Sequence, residues 1–236
     1  MISYIIPALN EEGSIGKVIK MIREIDSEGE IIVVDSNSTD RTAEIGTSLG
    51  AIVVNEERMG YGNAYQKGFS VANGDIIATL DADCTYPPSA IPTMLESLEK
   101  GYDFVSGERL TRATSEAMSL QHRIGNKILN VFTKMLFMVD ITDSQSGMWL
   151  FRRDILQSIR PQGSGMEFSE EIKIRAATSY CYKEISINYD RRMGEKKLKP
   201  WKDGISNLLF LLKFRARSGL RTKAFRCSRS EELSKK

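Results

Sequence analysis

The stretch "DIIATLDADCTYPP", residues 75–88, runs an apolar segment into two aspartates placed one residue apart. The segment has the length and branched side chains of a buried strand, where carboxylates are costly unless something offsets their charge. In extended backbone Asp81 and Asp83 point the same way across Ala82 and can share one divalent cation. Hard carboxylate oxygens suit Mg2+ or Mn2+, ions that also bridge to a diphosphate. The competing reading of these residues alone is a turn whose aspartates face water.

Upstream, the same kind of strand recurs in alternation with helical patterns. "ISYIIPA" reads as a buried strand, "SIGKVIKMIREID" as an amphipathic helix with Ile15, Val18, Ile19 and Ile22 on one face, and "EIIVVD" as a second strand. "STDRTAEIGTSLG" is a helix with Ser38 or Asp40 as N-cap and Gly50 as terminator, followed by the strand "AIVVNE" and the helix "YGNAYQKGFSVA". This βαβαβαβ order predicts an α/β fold, a mainly parallel sheet with helices on both faces. Ligands of such sheets bind beyond the carboxyl ends of the strands, and "PALNEE", "DSNSTD" and "DADCTYPP" all fall there.

The second half is less regular. "SAIPTMLESLEKG" is a helix, "YDFVSGERL" a strand with its exit, and residues 115–139 a long helical stretch; "GMWLFRRD" and "EISINYDRR" are later strands around the helix "FSEEIKIRAATSY". The glycines of "MGYGNAYQKG" follow the third strand rather than the first, so they read as close packing and helix entry rather than a dinucleotide fingerprint.

Composition narrows the classes. The 236 residues are 41% hydrophobic and 27% charged, as in an ordinary globular protein with a sizeable core. Net charge is +2, yet residues 191–236 hold 15 Lys or Arg against 4 Asp or Glu, so the basic surface is C-terminal. Such a segment suits an anionic membrane or phosphate groups; without interleaved aromatic residues or a known module, nucleic acid is not expected as a partner. Cys84, Cys181 and Cys227 are odd in number, far apart and without a CxxC pair, which predicts neither a disulfide framework nor a thiolate zinc site. The single histidine, His122, excludes multi-histidine metal sites and reads as a surface residue.

No basic n-region opens the chain and no apolar run is long enough to span a bilayer, so the expected location is cytoplasmic, peripherally on the inner face of the membrane. Two segments combine apolar and cationic residues in the manner of interfacial helices: residues 119–138, with Ile124, Ile128, Leu129, Phe132 and Leu136 beside Arg123, Lys127 and Lys134, and residues 201–217, with Leu208, Leu209, Phe210 and Leu212 beside Lys213, Arg215 and Arg217. Packing of both helices on the domain is the alternative. The expected division is a catalytic domain over 1–200, an amphipathic helix over 201–220 and a basic, disordered tail over 221–236.

Taken together, "IIPALNEE", "IIVVDSNSTDRT", "ERMGYGNAYQKG", "TLDADCTYPP", "DSQSGMWLFRRD" and "YDRRMGEKKLK" resemble, in order and spacing, the family 2 glycosyltransferases of GT-A fold, and within them the dolichyl-phosphate mannose and glucose synthases. The resemblance covers about residues 1–215. It implies an inverting transfer of a hexose from a nucleotide sugar to a polyprenyl (dolichyl) phosphate. The "DSQSG" and "GMEF" variants are more similar to the glucose-type synthases, which favours a UDP-sugar over GDP-mannose. By the same likeness Pro7, Ala8, Asn10, Glu11 and Asp35 line the nucleoside pocket, Asp81, Ala82 and Asp83 take the metal and diphosphate, and Arg109 lies at the donor. Arg123 lies near the lipid phosphate, and Arg192 with Lys197 forms a basic loop over phosphates. Thr85 stands where these synthases often carry Gln, and Lys196 where they usually carry Ser. A phosphate acceptor needs cations rather than a base, whereas a glycan hydroxyl needs a carboxylate, for which Glu170 or Glu171 is the candidate, with Asp143 open to either use. A non-catalytic nucleotide or nucleic-acid binder is the distant alternative from another class.

Overall fold

The computed structural model describes residues 1–114, 117–194, 200–217, 219 and 227. Lys197, Lys196 and the tail expected over 221–236, except Cys227, lie outside the described residues.

β1 (Ile2–Ala8), α1 (Ile15–Ile25), β2 (Glu30–Asp35), α2 (Thr42–Ser48), β3 (Ile52–Asn55), α3 (Tyr61–Val71) and β4 (Ile76–Thr79) follow the alternation of the sequence. They are followed by α4 (Ile91–Glu99), β5 (Phe104–Glu108), α5 (Leu120–Phe137), β6 (Trp149–Arg152), the short α6 (Leu156–Ile159), α7 (Phe168–Ser179), β7 (Tyr182–Ser186) and α8 (Pro200–Arg217). The strands make one sheet in the order β3-β2-β1-β4-β6-β5-β7. All pairings are parallel except those of β6, which runs antiparallel to both β4 and β5. The expected α/β sheet is therefore found, with one reversed strand in its second half.

Alternation along each strand divides the core in two. Tyr4, Ile6, Ile31 and Val33 meet α1 and α4 through Val18, Ile22, Met94 and Leu98, while Ile5, Ile32 and Val34 meet α3 and α7 through Ala64, Tyr65, Phe168 and Ile172. Gly68 lets α3 lie directly on the sheet, because a Cβ there would overlap Ile5 and press on Val34. Gly62 likewise leaves room for the Gly163 carbonyl. These are the close approaches expected of that glycine-rich segment.

A third apolar cluster joins α5, α7 and α8 through Leu129, Phe137, Ile174, Leu211 and Phe214. No helix among the described residues is long and apolar enough to cross a membrane.

Three expectations need correction. The helix drawn over 115–139 begins at Leu120, with the Ser119 hydroxyl accepting from the His122 amide, and ends where Met138 turns left-handed. The last strand lies at Tyr182–Ser186, earlier than expected, because the Asp190 and Met193 amides leave the sheet to donate to the Thr85 and Asp83 carbonyls. Cys181 and Cys227 form a disulfide, against the reading of three separate thiols; the fold closes their 46-residue separation, which spacing alone does not reveal. Cys84 stays free and buried.

Candidate active site

The first three polar clusters meet at one edge of the sheet because β1, β2 and β4 are adjacent parallel strands. Each of their exit loops contains a non-glycine residue in the left-handed region: Asn10 at φ 50°, Asn37 at φ 60° and Cys84 at φ 65°. Such conformations cost about 1–3 kcal/mol each, and the surrounding bonds hold them. The Asn10 amide donates to Ser38 Oγ, and Asn10 Oδ1 accepts from the Thr39 amide at 2.7 Å, so the first two loops are laced together. Asp40 accepts from the Glu12 and Thr42 amides, using its carboxylate between the loop and the start of α2.

Ala8 and Asp35 are register partners at the ends of β1 and β2, with Pro7 one residue earlier. Asp35 is 7% exposed; its Oδ2 accepts from the Ser38 amide, and its Oδ1 is buried with no hydrogen-bond partner among the described residues. A buried, unsatisfied carboxylate oxygen is a strong acceptor waiting for a donor, and a nucleoside base or ribose offers one.

Asp81 and Asp83 follow β4, the strand next to β1, at the same edge. The Tyr61 hydroxyl donates to Asp81 Oδ1 at 3.0 Å. Burial first, and the neighbouring charge of Asp83 second, push the Asp81 carboxyl up to about 7. Asp83 Oδ1 accepts from both the amide and the hydroxyl of Thr85, at 3.0 and 2.6 Å. Thr85 therefore locks the Asp83 side chain rather than replacing the amide expected there. Two crowded carboxylates form a donor set that fits a divalent cation, which would complete its shell with diphosphate and water oxygens.

Arg109 is buried and clamped by Asp143 through Nε and Nη2, at 2.8 and 2.9 Å, while Nη1 donates to the Tyr86 hydroxyl. Burial works against its charge, but Asp143 outweighs it and holds the guanidinium well above its ordinary value. Asp143 is thus a counter-ion and not a base. Its loop is held from below by Lys173, whose ammonium donates to the Asp143 and Ser146 carbonyls. Burial lowers the Lys173 ammonium to about 8 and raises the Glu170 carboxyl, also to about 8.

One cavity runs from this cluster to α5 and α8. Tyr61, Asp81, Asp83, Arg109 and Arg192 line its inner end, and Met118, Gly125, Leu129, Met166, Gly204 and Asn207 belong to its outer wall. His122, read as a surface residue, lines it too, as does Gln145, whose Oε1 accepts from Asn207. Tyr61, Tyr86, Tyr189, Gln145 and Asn207 were not singled out from the sequence, since nothing in an isolated Tyr or amide marks it as facing a cavity.

Three candidates fall elsewhere. Glu171 spends Oε2 on the Gln162 and Gly163 amides and Oε1 on Arg175, and Glu170 accepts from Ser144; neither lines the cavity. Arg123 donates to the Ala113 carbonyl and lines a separate groove with Lys127 and Lys134.

A buried Asp35 oxygen without a hydrogen-bond partner among the described residues, together with paired carboxylates at the carboxyl edge of a mainly parallel sheet, is an arrangement suited to a phosphorylated ligand. The pattern described as "Glycosyl transferase family 2" matches residues 3–160, and the chain belongs to that family of glycosyltransferases. A low-salt glycan biosynthesis hexosyltransferase of Haloferax volcanii is 36% identical over 219 residues, covering 89% of this chain and 53% of the relative. The chain thus spans about half the length of that protein. A dolichyl-phosphate hexose transferase of the same organism is 35% identical over 206 residues, covering 86% of this chain and 89% of its own. Among solved structures, glucosyl-3-phosphoglycerate synthase from Mycobacterium tuberculosis, in complex with Mn2+, UDP-glucose and phosphoglyceric acid, superposes with a TM-score of 0.74 at 22% identity. That match covers 92% of this chain and 80% of the synthase.

Proposed function

We propose that this enzyme transfers a hexose from a nucleotide sugar, a UDP-sugar in preference to GDP-mannose, to a polyprenyl phosphate at an anionic membrane surface, with inversion. The observation that carries the reading is the composition of the cavity: Asp81 and Asp83 are its only carboxylates among the described residues, and its outer wall is largely apolar. A glycan hydroxyl requires a base, and the two glutamates offered for that role do not face the cavity. A phosphate monoester brings its own negative charge and needs cations and an apolar channel instead.

In this reading Asp35 receives the donor's nucleoside, and Pro7, Ala8, Asn10 and Glu11 border it. Asp81 and Asp83 hold Mg2+ or Mn2+, which when bound supplies Lewis-acid neutralisation of the departing diphosphate. Arg109, fixed by Asp143, and Arg192 present positive charge to phosphate oxygens where leaving-group charge develops. An acceptor phosphate oxygen forms the new bond to the anomeric carbon as the bond to the nucleoside diphosphate breaks. Lys197, outside the described residues, is assigned with Arg192 to the basic loop over phosphates, and Arg123, in its separate groove with Lys127 and Lys134, to the lipid phosphate.

The membrane side of the reading rests on α5. Leu120, Ile124, Ile128, Val131 and Met135 recur every three or four residues and are 48–72% exposed, on a helix without a single Asp or Glu. Leu209 and Leu212 of α8 are about half exposed as well. One of the two relatives, 35% identical, is named for transfer of a hexose to dolichyl phosphate. Supplying the enzyme with Mn2+ and radiolabelled UDP-glucose or GDP-mannose, against a short polyprenyl phosphate or free sugars, tests the proposal. Label is expected in the lipid phase from the UDP-sugar, and transfer to free sugars alone overturns it.

A further inference from the structure

Arg192 is paired with Asp83, one of the two carboxylates proposed to hold the cation. Its Nη1 lies 3.2 Å from Asp83 Oδ2 and its Nη2 lies 2.6 Å from Glu11 Oε1, so one guanidinium bridges the metal-site and nucleoside-site carboxylates. Asp83 has no second oxygen to offer, since Oδ1 is already engaged twice by Thr85. The backbone on either side of Arg192 is fastened to the same loop, Asp190 through its amide to the Thr85 carbonyl and Met193 through its amide to the Asp83 carbonyl. Tyr189, just before this strap, packs edge-on against Tyr86 at 5.3 Å and under the Arg109 guanidinium. Arg192 Nε is buried without a hydrogen-bond partner among the described residues, so the side chain retains a donor that its present partners do not use.

From these contacts we infer that Arg192 is a displaceable internal counter-ion: it neutralises Asp83 in the empty enzyme, competes with the divalent cation for Oδ2, and yields that oxygen when a diphosphate arrives to receive the guanidinium. A guanidinium and a dication repel each other strongly at the contact distances one carboxylate oxygen imposes. Diphosphate removes the conflict, because it offers Arg192 paired acceptor oxygens, including one for Nε, at the moment the cation needs Asp83. Metal binding and nucleotide binding are then positively coupled, and by reciprocity each tightens the other by the same factor. The metal is expected to bind weakly alone, which ties occupancy of the site to the presence of donor. The inference rests on the metal-diphosphate reading given above.

The test measures Mn2+ directly on the full chain, by the loss of the free-ion spin-resonance signal, with and without UDP. In wild type UDP should tighten Mn2+ by about 5–150-fold, the usual range of coupling between sites. Arg192→Gln should tighten nucleotide-free Mn2+ by about tenfold and shrink the gain from UDP, the change expected when a competing charge is removed. Arg192→Lys, which keeps the charge but not the bidentate reach, should lie between the two and serves if the glutamine variant does not fold. Equal or weaker nucleotide-free Mn2+ binding in the variants, with UDP-dependent binding intact in wild type, overturns the counter-ion role while leaving the metal-diphosphate reading standing. No Mn2+ binding in any of the proteins, with UDP present, overturns both.

Discussion

Replacing Asp81 by Asn should stabilise the nucleotide-free protein, and by an amount that depends on pH. The Asp81 carboxyl is raised from its ordinary 3.8 to about 7, by burial and then by the charge of Asp83. Because the folded value lies above the unfolded one, the stability this group contributes is fully present below pH 3.8 and is lost as pH rises toward 7. A shift of about three units corresponds to ~4 kcal/mol at the plateau, approached at about 1.4 kcal/mol per pH unit. Asp81 opens on the cavity, so water there trims the effect, and about 2–4 kcal/mol is expected above pH 7. Asn stays neutral and can still accept the Tyr61 hydroxyl. Urea unfolding of both proteins in chelator at pH 5, 6, 7 and 8 reads the difference, which should grow with pH and raise Tm by about 2–4 °C per kcal/mol in a chain of this size. A gain independent of pH, or a loss at pH 8, refutes the claim that two like charges are held there at a cost in stability. The same variant should lose Mn2+-dependent nucleotide binding, the trade between stability and function that active sites commonly show.

Three other outcomes are expected. Asp143→Asn leaves the Arg109 guanidinium buried without its counter-ion and should cost about 3–5 kcal/mol by denaturant unfolding, along with most of the transferase activity. Protons compete with the cation for Asp81, so Mn2+ affinity in the presence of UDP should weaken as pH falls through about 7, and titration at pH 6 and 8 measures it. The double change Ile124→Glu and Ile128→Glu puts two charges into the exposed row of α5 and should abolish flotation with anionic vesicles without lowering Tm; unchanged flotation removes α5 from the proposed membrane surface.

The first half of the chain is legible because local pattern and global fold coincide there. Strands flanked by helices admit few topologies, and adjacency of β1, β2 and β4 follows once the sheet is parallel. Sequence alone therefore puts Asp35, Asp81 and Asp83 at one edge, and the strands that lead to them, β2 and β4, flank β1 there. Past residue 100 the pattern no longer dictates the pairing: β6 reverses direction, and β7 is joined to β5 by contacts that no local spacing records.

Side-chain use was less legible than position. Glu170 and Glu171 look alike in "FSEEIKI", yet one is packed under the Asp143 loop and the other is spent on two amides and an arginine. Cys181 and Cys227 give no sign of pairing in the sequence, yet they are bonded across a separation of 46 positions. By itself the sequence determined the parallel α/β sheet, the edge where ligands bind and the acidic pair there, because periodicity and strand-end chemistry are local properties. Only the tertiary structure decided which cation faces Asp83, that Asp143 neutralises Arg109 and which helix walls the cavity, because each depends on residues between 34 and 181 positions apart meeting in space.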